Sequence, residues 1–507
     1  MKRYNHNRSN TELTSFGMGR IVPTMMRHCI QGTTLRGGVS AALELAPMVH
    51  QALSQIRVDT FAIACADRLV WDDAEDFYTG GEDGNTRPVP PYIEAPAETG
   101  WTVGSTADHL GFPTGVPGLK CNAIPFRLLV KWWNENIRNP LLQDELPLST
   151  ASGLDTTTYT GDLMMNWPKD MFTTATPEQQ LGDEVLIPIA ESAPVVGTGM
   201  TLGVTTGLTG DEAGLVVNNT NNAQFTKGNY GTNYGTSSTG TPLGGNLSLG
   251  ITKDGTKSGM ITDLTSATGI LPSDFNLAMA RQKWKQRRNL FGSAYRDLLS
   301  FLGVKYSDRR LGYVSTLAHG KNIVDISGVL QTAPGTNSVV GEMAGRGTGF
   351  GHCSYKTYFE EWTTVIHFVC VRPAPVYVNM QPVDFLWEIR EDLYTPEFAK
   401  AGMVQIKKGT LFPTGTNTDA EKFGWGNPYD EMRSGFNHVS GKFKTTNLSY
   451  HQGRVFETQP ALNSDFLECN PSTRIFANLL DDAVEAAAIR NTFIERNIVL
   501  PSGTPKF

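Results

Sequence analysis

Hydrophobic and polar positions alternate along Ile56-Arg57-Val58-Asp59-Thr60-Phe61-Ala62-Ile63, and again through part of Trp362 to Val371. A period of two built from β-branched and aromatic residues predicts strands. Gly351-His352-Cys353 and Arg372-Pro373-Ala374-Pro375 punctuate the second region, which reads as a buried β-hairpin. A different period governs Phe126, Leu129, Val130, Trp133 and Ile137, which fall at i, i+3, i+4, i+7 and i+11. Pro125 suits a first helical turn and Asn139-Pro140 a stop, so an amphipathic helix is inserted between strands. Its aromatic stripe is packing, not a cofactor box. A second helix is predicted over about Asp274 to Asn289, and a weaker one over Asp481 to Arg496. The pattern as a whole is that of strands joined by long excursions.

That pattern breaks at residues 193–267, which hold 15 glycines and 15 threonines but no Arg, His, Cys or Trp. Turn-like pieces such as Gly228-Asn229-Tyr230-Gly231-Thr232-Asn233-Tyr234-Gly235 recur within it. Such a segment supplies little core, so it is expected at the surface, disordered or held by neighbours. Elsewhere hydrophobic residues, 39% of the 507, suffice for a sizeable core. No apolar run reaches the roughly 18 residues of a membrane span. The polar start, Met1-Lys2-Arg3-Tyr4-Asn5-His6-Asn7, lacks the apolar stretch of a secretory signal. Cys29, Cys65, Cys121, Cys353, Cys370 and Cys469 form no close pair, which predicts buried free thiols in a reducing cytoplasm and argues against zinc.

The net charge of −7 argues at first against a nucleic-acid partner, but its distribution changes the picture. Residues 1–36 carry Lys2, Arg3, Arg8, Arg20, Arg27 and Arg36 against Glu12 alone. Residues 281–310 carry Arg281, Lys283, Lys285, Arg287, Arg288, Arg296, Lys305, Arg309 and Arg310 against Asp297 and Asp308. Segregated charge fits a shell whose inner face neutralises packaged DNA without reading its bases. Solvated helix faces, or salt bridges to a neighbouring subunit, explain the second cluster as well.

Candidate chemistry is sparse. Gly320-Lys321 and Gly441-Lys442 lack the glycine spacing and the Ser/Thr of a phosphate loop, and HExxH is missing. Gly345, Gly347, Gly349 and Gly351 do not follow a strand and open a helix, so they read as a turn or close-packed loop. His319, His352, His367, His438 and His451 show no ligand spacing and are taken as structural. Asp72-Asp73 and Asp481-Asp482 suit a cation at a subunit boundary or, equally, helix capping and solvent, so metal binding stays open. No cofactor is expected.

Two blocks point to a family. Ala123-Ile124-Pro125-Phe126-Arg127 runs into Trp132-Trp133-Asn134-Glu135-Asn136-Ile137-Arg138, and Trp167-Pro168-Lys169-Asp170-Met171-Phe172-Thr173-Thr174-Ala175-Thr176-Pro177 follows. They resemble the LPFR…WFRD and KDYFTSALP signatures of the major capsid proteins of the Microviridae, small icosahedral bacteriophages with circular single-stranded DNA. The order of further pieces agrees: Arg68-Leu69-Val70-Trp71-Asp72, Asp308-Arg309-Arg310-Leu311, Asn427-Pro428-Tyr429-Asp430 and Asp465-Phe466-Leu467-Glu468. The resemblance is gokushovirus-like and covers roughly residues 50 to 475. It implies an all-β fold, an eight-stranded antiparallel viral jelly roll with long loop insertions containing a few helices. It also implies sixty copies in a T=1 shell enclosing circular single-stranded DNA, and no enzymatic activity. By the same analogy the partners are a scaffolding protein, a small basic DNA-binding protein and a DNA pilot protein, with a host surface receptor possible. The chain would reside in the virion and, during assembly, in the host bacterial cytoplasm.

Within that frame, residues 1–36 are expected as a flexible basic arm facing the lumen. Residues 37–507 form the jelly-roll domain, and 193–267 a surface protrusion that carries Tyr230 and Tyr234. Lys2, Arg3, Arg8, Arg281, Lys283, Lys285, Arg287 and Arg288 are the DNA-facing candidates. Trp132, Trp133, Tyr429 and Arg433 are the candidates for subunit contacts. A phage fibre or secreted carbohydrate-binding β-protein would also carry Gly/Thr-rich loops, and a hydrolase assembled from dispersed Asp, Glu and His is a further alternative without a motif.

Overall fold

Ten strands make two antiparallel sheets in the computed structural model. It describes residues 2–183, 185, 195–197, 204–205, 248–249, 260–262, 272–292, 294–330, 341, 343–400, 402–477 and 482–501. In chain order the strands are β1 (Tyr4–Asn7), β2 (Asn10–Phe16), β3 (Val22–Cys29), β4 (Thr33–Leu45) and β5 (Ile56–Ala66). After the long excursions come β6 (Ser315–Ile323), β7 (Asp325–Leu330), β8 (Met343–Phe359), β9 (Thr363–Pro373) and β10 (Val484–Asn497). One sheet runs β10-β4-β8-β7, with both β1 and β2 on the outer edge of β10; the other runs β6-β5-β9-β3.

The period-two pattern explains the layering. Inward residues of the first sheet (Val39, Leu43, Ile489) and of the second (Val58, Val369, Val371) share one apolar interior. The opposite face of the second sheet offers Phe61, Ile63, Ile366 and Phe368 to α1 (Ile124–Asn136), whose Phe126, Leu129, Trp132 and Trp133 complete another cluster. With partners on both faces, every residue of β9 is buried. A separate cluster of Phe172, Tyr377, Phe423 and Phe466 lies by a short ribbon of Val404–Lys407 and Lys422–Gly426.

The two longer helices fall where their periods place them, α1 with proline in its first turn and α2 over Pro272–Phe291. Four expectations need correction. The region bounded by Gly351-His352-Cys353 and Arg372-Pro373-Ala374-Pro375 is not a hairpin: β8 pairs with β4 and β7, whereas β9 pairs with β3 and β5, so the chain crosses between sheets at residues 360–362. Alternation places a strand but says nothing about which sheet it joins. Residues 484–497 are strand rather than helix; Ala486, Ala487 and Ala488 favour a helix, but backbone pairing with strands on both sides overrides that propensity. The expected flexible arm is built into the sheets as β1, β2 and β3. The alternating glycines lie within β8, on its inward face. A Cβ on Gly351 would stand 2.7 Å from Thr60 Cγ2, and one on Gly349 2.7 Å from Leu43 Cδ1. Gly351 lets the two sheets approach closely, while Gly349 makes room for the Leu43 side chain of the neighbouring strand β4.

Residues 183–284 form a second unit. In it Val195–Gly197 pairs with Met260–Thr262, and Val204–Thr205 with Ser248–Leu249. Tyr230 and Tyr234 lie outside the described residues.

Candidate assembly surfaces

The scaffold beneath the surface is locked by buried charge. Arg127, in the LPFR-like block, is fully buried and gives Nε to Asp155 Oδ2 at 2.8 Å, Nη1 to the Val70 carbonyl at 2.9 Å and Nη2 to the Ala151 carbonyl at 2.8 Å. Burial alone would raise the Asp155 pKa, but the hydroxyl and amide of Thr158, with Arg127, hold it below the usual carboxylate range. Asp59 of β5 is likewise buried, and there too burial is outweighed, by hydrogen bonding from His319 and by the Arg372 and Arg57 guanidiniums. Between the sheets, the Tyr355 hydroxyl meets His367 Nε2 at 2.7 Å, and His367 Nδ1 meets Asn491 Oδ1 at 3.1 Å. A neutral ring that accepts from Tyr355 and donates to Asn491 satisfies both contacts. Burial, opposed by the Asn491 bond, pulls the His367 pKa down to about 4.

The proposed contact residues divide on the same criterion. Trp132 and Trp133 are 2% and 5% exposed; their indole N–H groups donate to Thr316 Oγ1 at 3.1 Å and to the Met164 carbonyl at 2.7 Å. They pack inside the subunit, which leaves them no face for a neighbour. Tyr429 is also buried. Its hydroxyl donates to the Glu391 carbonyl at 2.8 Å, and its ring meets Tyr394 edge-on at 5.2 Å. It is the described non-glycine residue with positive φ, 59°. Arg433 is exposed, 3.4 Å from Asp430.

Of the basic candidates, Arg8 is an internal ion-pair partner of Glu495 at 2.6 Å and lies over the Phe493 ring. Lys2 and Arg3 are exposed and lie over Tyr4 and Tyr358. On α2, Arg281, Lys283 and Arg287 are exposed, Lys285 and Arg288 half-buried. Arg287 lies over Phe301 of α3 (Tyr295–Phe301).

The acidic pairs have protein partners. Asp72 accepts from Thr150 at 2.7 Å, Asp73 from Ser152, and Asp482 from Ser15 at 2.6 Å; Asp481 lies outside the described residues. Among the described residues no group of three or more His, Cys, Asp or Glu is arranged to hold a metal. The histidines serve separate contacts: His319 stacks on Phe61, His352 meets Ser40, and His451 meets the Phe443 carbonyl. All six cysteines are free and buried, and burial pushes the Cys29 thiol up to about 12. No described helix is long and apolar enough to cross a membrane.

The surface itself carries what sequence reading missed. Between Pro382 and Phe398, the side chains of Phe385, Trp387, Ile389, Leu393 and Tyr394 are 45–77% exposed. The segment is ordered locally, since Asp392 accepts from the amides of Glu388 and Ile389 and Tyr429 fastens it from below. Its sequence has neither period, only aromatic residues interspersed with acids between two prolines. That mixture was the available signal, because interfaces concentrate aromatic residues while solvent loops rarely do. An ordered apolar patch of this size marks a surface meant to be covered.

Such a molecule works through its surfaces, as shell and coat proteins do. The chain belongs to the capsid protein (F protein) family, whose sequence profile matches residues 1–502. It is 28% identical to capsid protein VP1 of Bdellovibrio phage phiMH2K, the match covering 92% of this chain and 88% of that protein. Capsid protein VP1 of Spiroplasma virus 4 is 25% identical over 90% of this chain and 86% of the relative. For VP1 of Chlamydia phage 1 the figures are 25%, 93% and 90%. All three are Microviridae phages. The chain is therefore a phage major capsid protein of the virion and not an enzyme, and the hydrolase and glycan-binding alternatives fall away.

Proposed function

We propose that this capsid protein assembles as sixty copies into a T=1 icosahedral shell around circular single-stranded DNA, on an eight-stranded jelly roll. The strand order carries this reading. Counting β1 and β2 as one interrupted strand and β7 as an addition beside β8, the eight strands lie 1-8-3-6 in one sheet and 2-7-4-5 in the other. Two Greek keys rolled together give that alternation, and the jelly roll recurs in viral capsids because it shields its edges by packing two sheets.

Lys2 and Arg3 beside β1, and Arg281, Lys283 and Lys285 on α2, are the residues proposed to face the genome as diffuse counter-charge, whereas Arg287 and Arg288 at the end of α2 share an apolar face that suits a protein partner better. Residues 193–267, with Tyr230 and Tyr234, are proposed to build an external protrusion that contacts the host surface. The assembly partners would be a scaffolding protein, a small basic DNA-binding protein and a DNA pilot protein. Assembly would take place in the host cytoplasm, a setting in which six free thiols persist.

Negative-stain electron microscopy of particles from infected cells, with nuclease-protected DNA measured alongside, tests the reading. Uniform small closed shells holding protected single-stranded DNA are expected; the chain recovered only as free trimers or fibres would overturn it. Deleting residues 200–260 is expected to leave shells intact and abolish adsorption, and unchanged adsorption would remove the host-contact role.

A further inference from the structure

We propose that the acidic aromatic segment 382–398 of one copy docks on the basic apolar surface formed by the end of α2, α3 and the turn after it, residues 287–310, of a second copy. The inference rests on the shell reading and names one contact within it. The segment carries Asp384, Glu388, Glu391, Asp392 and Glu397 against Arg390 alone. Residues 287–310 carry Arg287, Arg288, Arg296, Lys305, Arg309 and Arg310 against Asp297 and Asp308.

Part of that charge is already committed within the subunit: Glu388 pairs with Lys407, Arg296 donates to Asn136 and the Glu135 carbonyl, and Arg309 to the Tyr358 carbonyl. Glu391 and Glu397 have no ion-pair partner among the described residues, and Lys305 and Arg310 are exposed. These groups are available for complementary contact across an interface.

The apolar surfaces match in the same way. The segment exposes Phe385 (77%), Trp387 (55%), Ile389 (58%), Leu393 (45%), Tyr394 (56%) and Phe398 (36%). The basic surface exposes Leu290 (36%), Phe291 (56%), Tyr295 (59%), Leu302 (63%), Val304 (48%) and Tyr306 (40%). Phe291 and Phe301 rings 5.3 Å apart hold α2 and α3 together as one face. Scaled by exposure, each set offers on the order of 600–700 Å², close to the ~800 Å² that one partner gives to a standard interface. Single-stranded DNA is the competing occupant of the basic face. Phe291, Tyr295 and Tyr306 of that face offer stacking platforms, but its aliphatic Leu290, Leu302 and Val304 do not, and only a protein partner also explains the acidic segment. Because each copy carries both halves, the contact is heterologous, repeating head to tail from copy to copy, and it forms a closed ring where the rotation between copies returns to the first.

The test uses the full chain expressed with the other genes of its phage. Glu391→Lys/Glu397→Lys reverses one half, Lys305→Glu/Arg310→Glu the other, and the quadruple variant swaps both. Each pair is expected to cut the shell yield in a sucrose gradient by about tenfold or more while leaving the subunit's thermal melt unchanged, and the quadruple variant to restore shells. A second set, Trp387→Ser and Leu302→Ser, is expected to lower shell yield through lost apolar contact alone. Wild-type shells indifferent to all of these changes would overturn the contact but not the shell. A quadruple variant that melts like wild type yet stays as subunits would also overturn it, as would basic-face reversals that keep shells and lose only DNA. Wild-type chain that never forms shells would overturn both readings.

Discussion

Strand β9 and the segment 382–398 are each about half apolar in sequence, yet every residue of the first is buried and most of the second is exposed. What separates them is arrangement. In β9 the apolar positions, Cys370 apart, are β-branched or aromatic and uninterrupted by acids, so both faces find partners within the subunit. In 382–398 acids stand between the aromatic residues, which keeps the segment out of the interior and leaves its apolar side chains for something outside. Hydrophobic content therefore measures how much surface must be covered, and the charges beside it decide whether the cover is the same chain or another.

Substitutions that treat the two regions alike should give opposite results. Phe368→Ala in β9 removes a ring packed between Phe61 and Trp132. It is expected to cost about 3–5 kcal/mol of subunit stability in a denaturant titration. Asp155→Ala, which leaves the Arg127 charge buried without its partner, is expected to cost about 3 kcal/mol in the same measurement.

Acid should weaken the β9 layer next. Unfolded, His367 takes a proton below its ordinary 6.5; folded, it refuses one until about 4. The unfolded state thus binds more protons in between, and stability falls as the pH drops from 6.5 toward 4, by roughly 2–3 kcal/mol. Urea melts across that range should show a shallower slope in His367→Gln. Last, Trp387→Ala should change the subunit's denaturation midpoint by an amount equivalent to no more than about 0.5 kcal/mol. A larger loss would mean that the segment belongs to the core and would erase the contrast with β9.

Much of this division was legible in the sequence. The helical stripe from Phe126 to Trp133 and the alternation from Ile56 to Ile63 lie where their periods put them, since those signals arise from a single face meeting a single core. What failed was information that adjacent residues do not hold. Partner choice separated β8 from β9, and long-range pairing turned the Ala-rich run at 486–488 into strand. The basic start of the chain reads as a tail because charge is local, while its pairing with residues almost five hundred positions away is not. Trp133 belongs to the stripe whose period marks packing, but Trp132 lies off that stripe, and bulk alone does not say which side of a surface its side chain occupies. Arg127 carried no outward sign of its buried partner 28 residues on.

The position of β10 has a consequence for synthesis. It lies between β4 on one side and β1 and β2 on the other, so strands translated early stay without their central neighbour until residues 484–497 leave the ribosome. Contacts of such sequence separation form slowly and cannot begin on the nascent chain. A product cut short by premature termination leaves the edges of β2 and β4 open and never acquires the finished sheet. Translation to the end of β10 thus acts as a checkpoint, and only chains that pass it have the completed sheet from which a coat can be built.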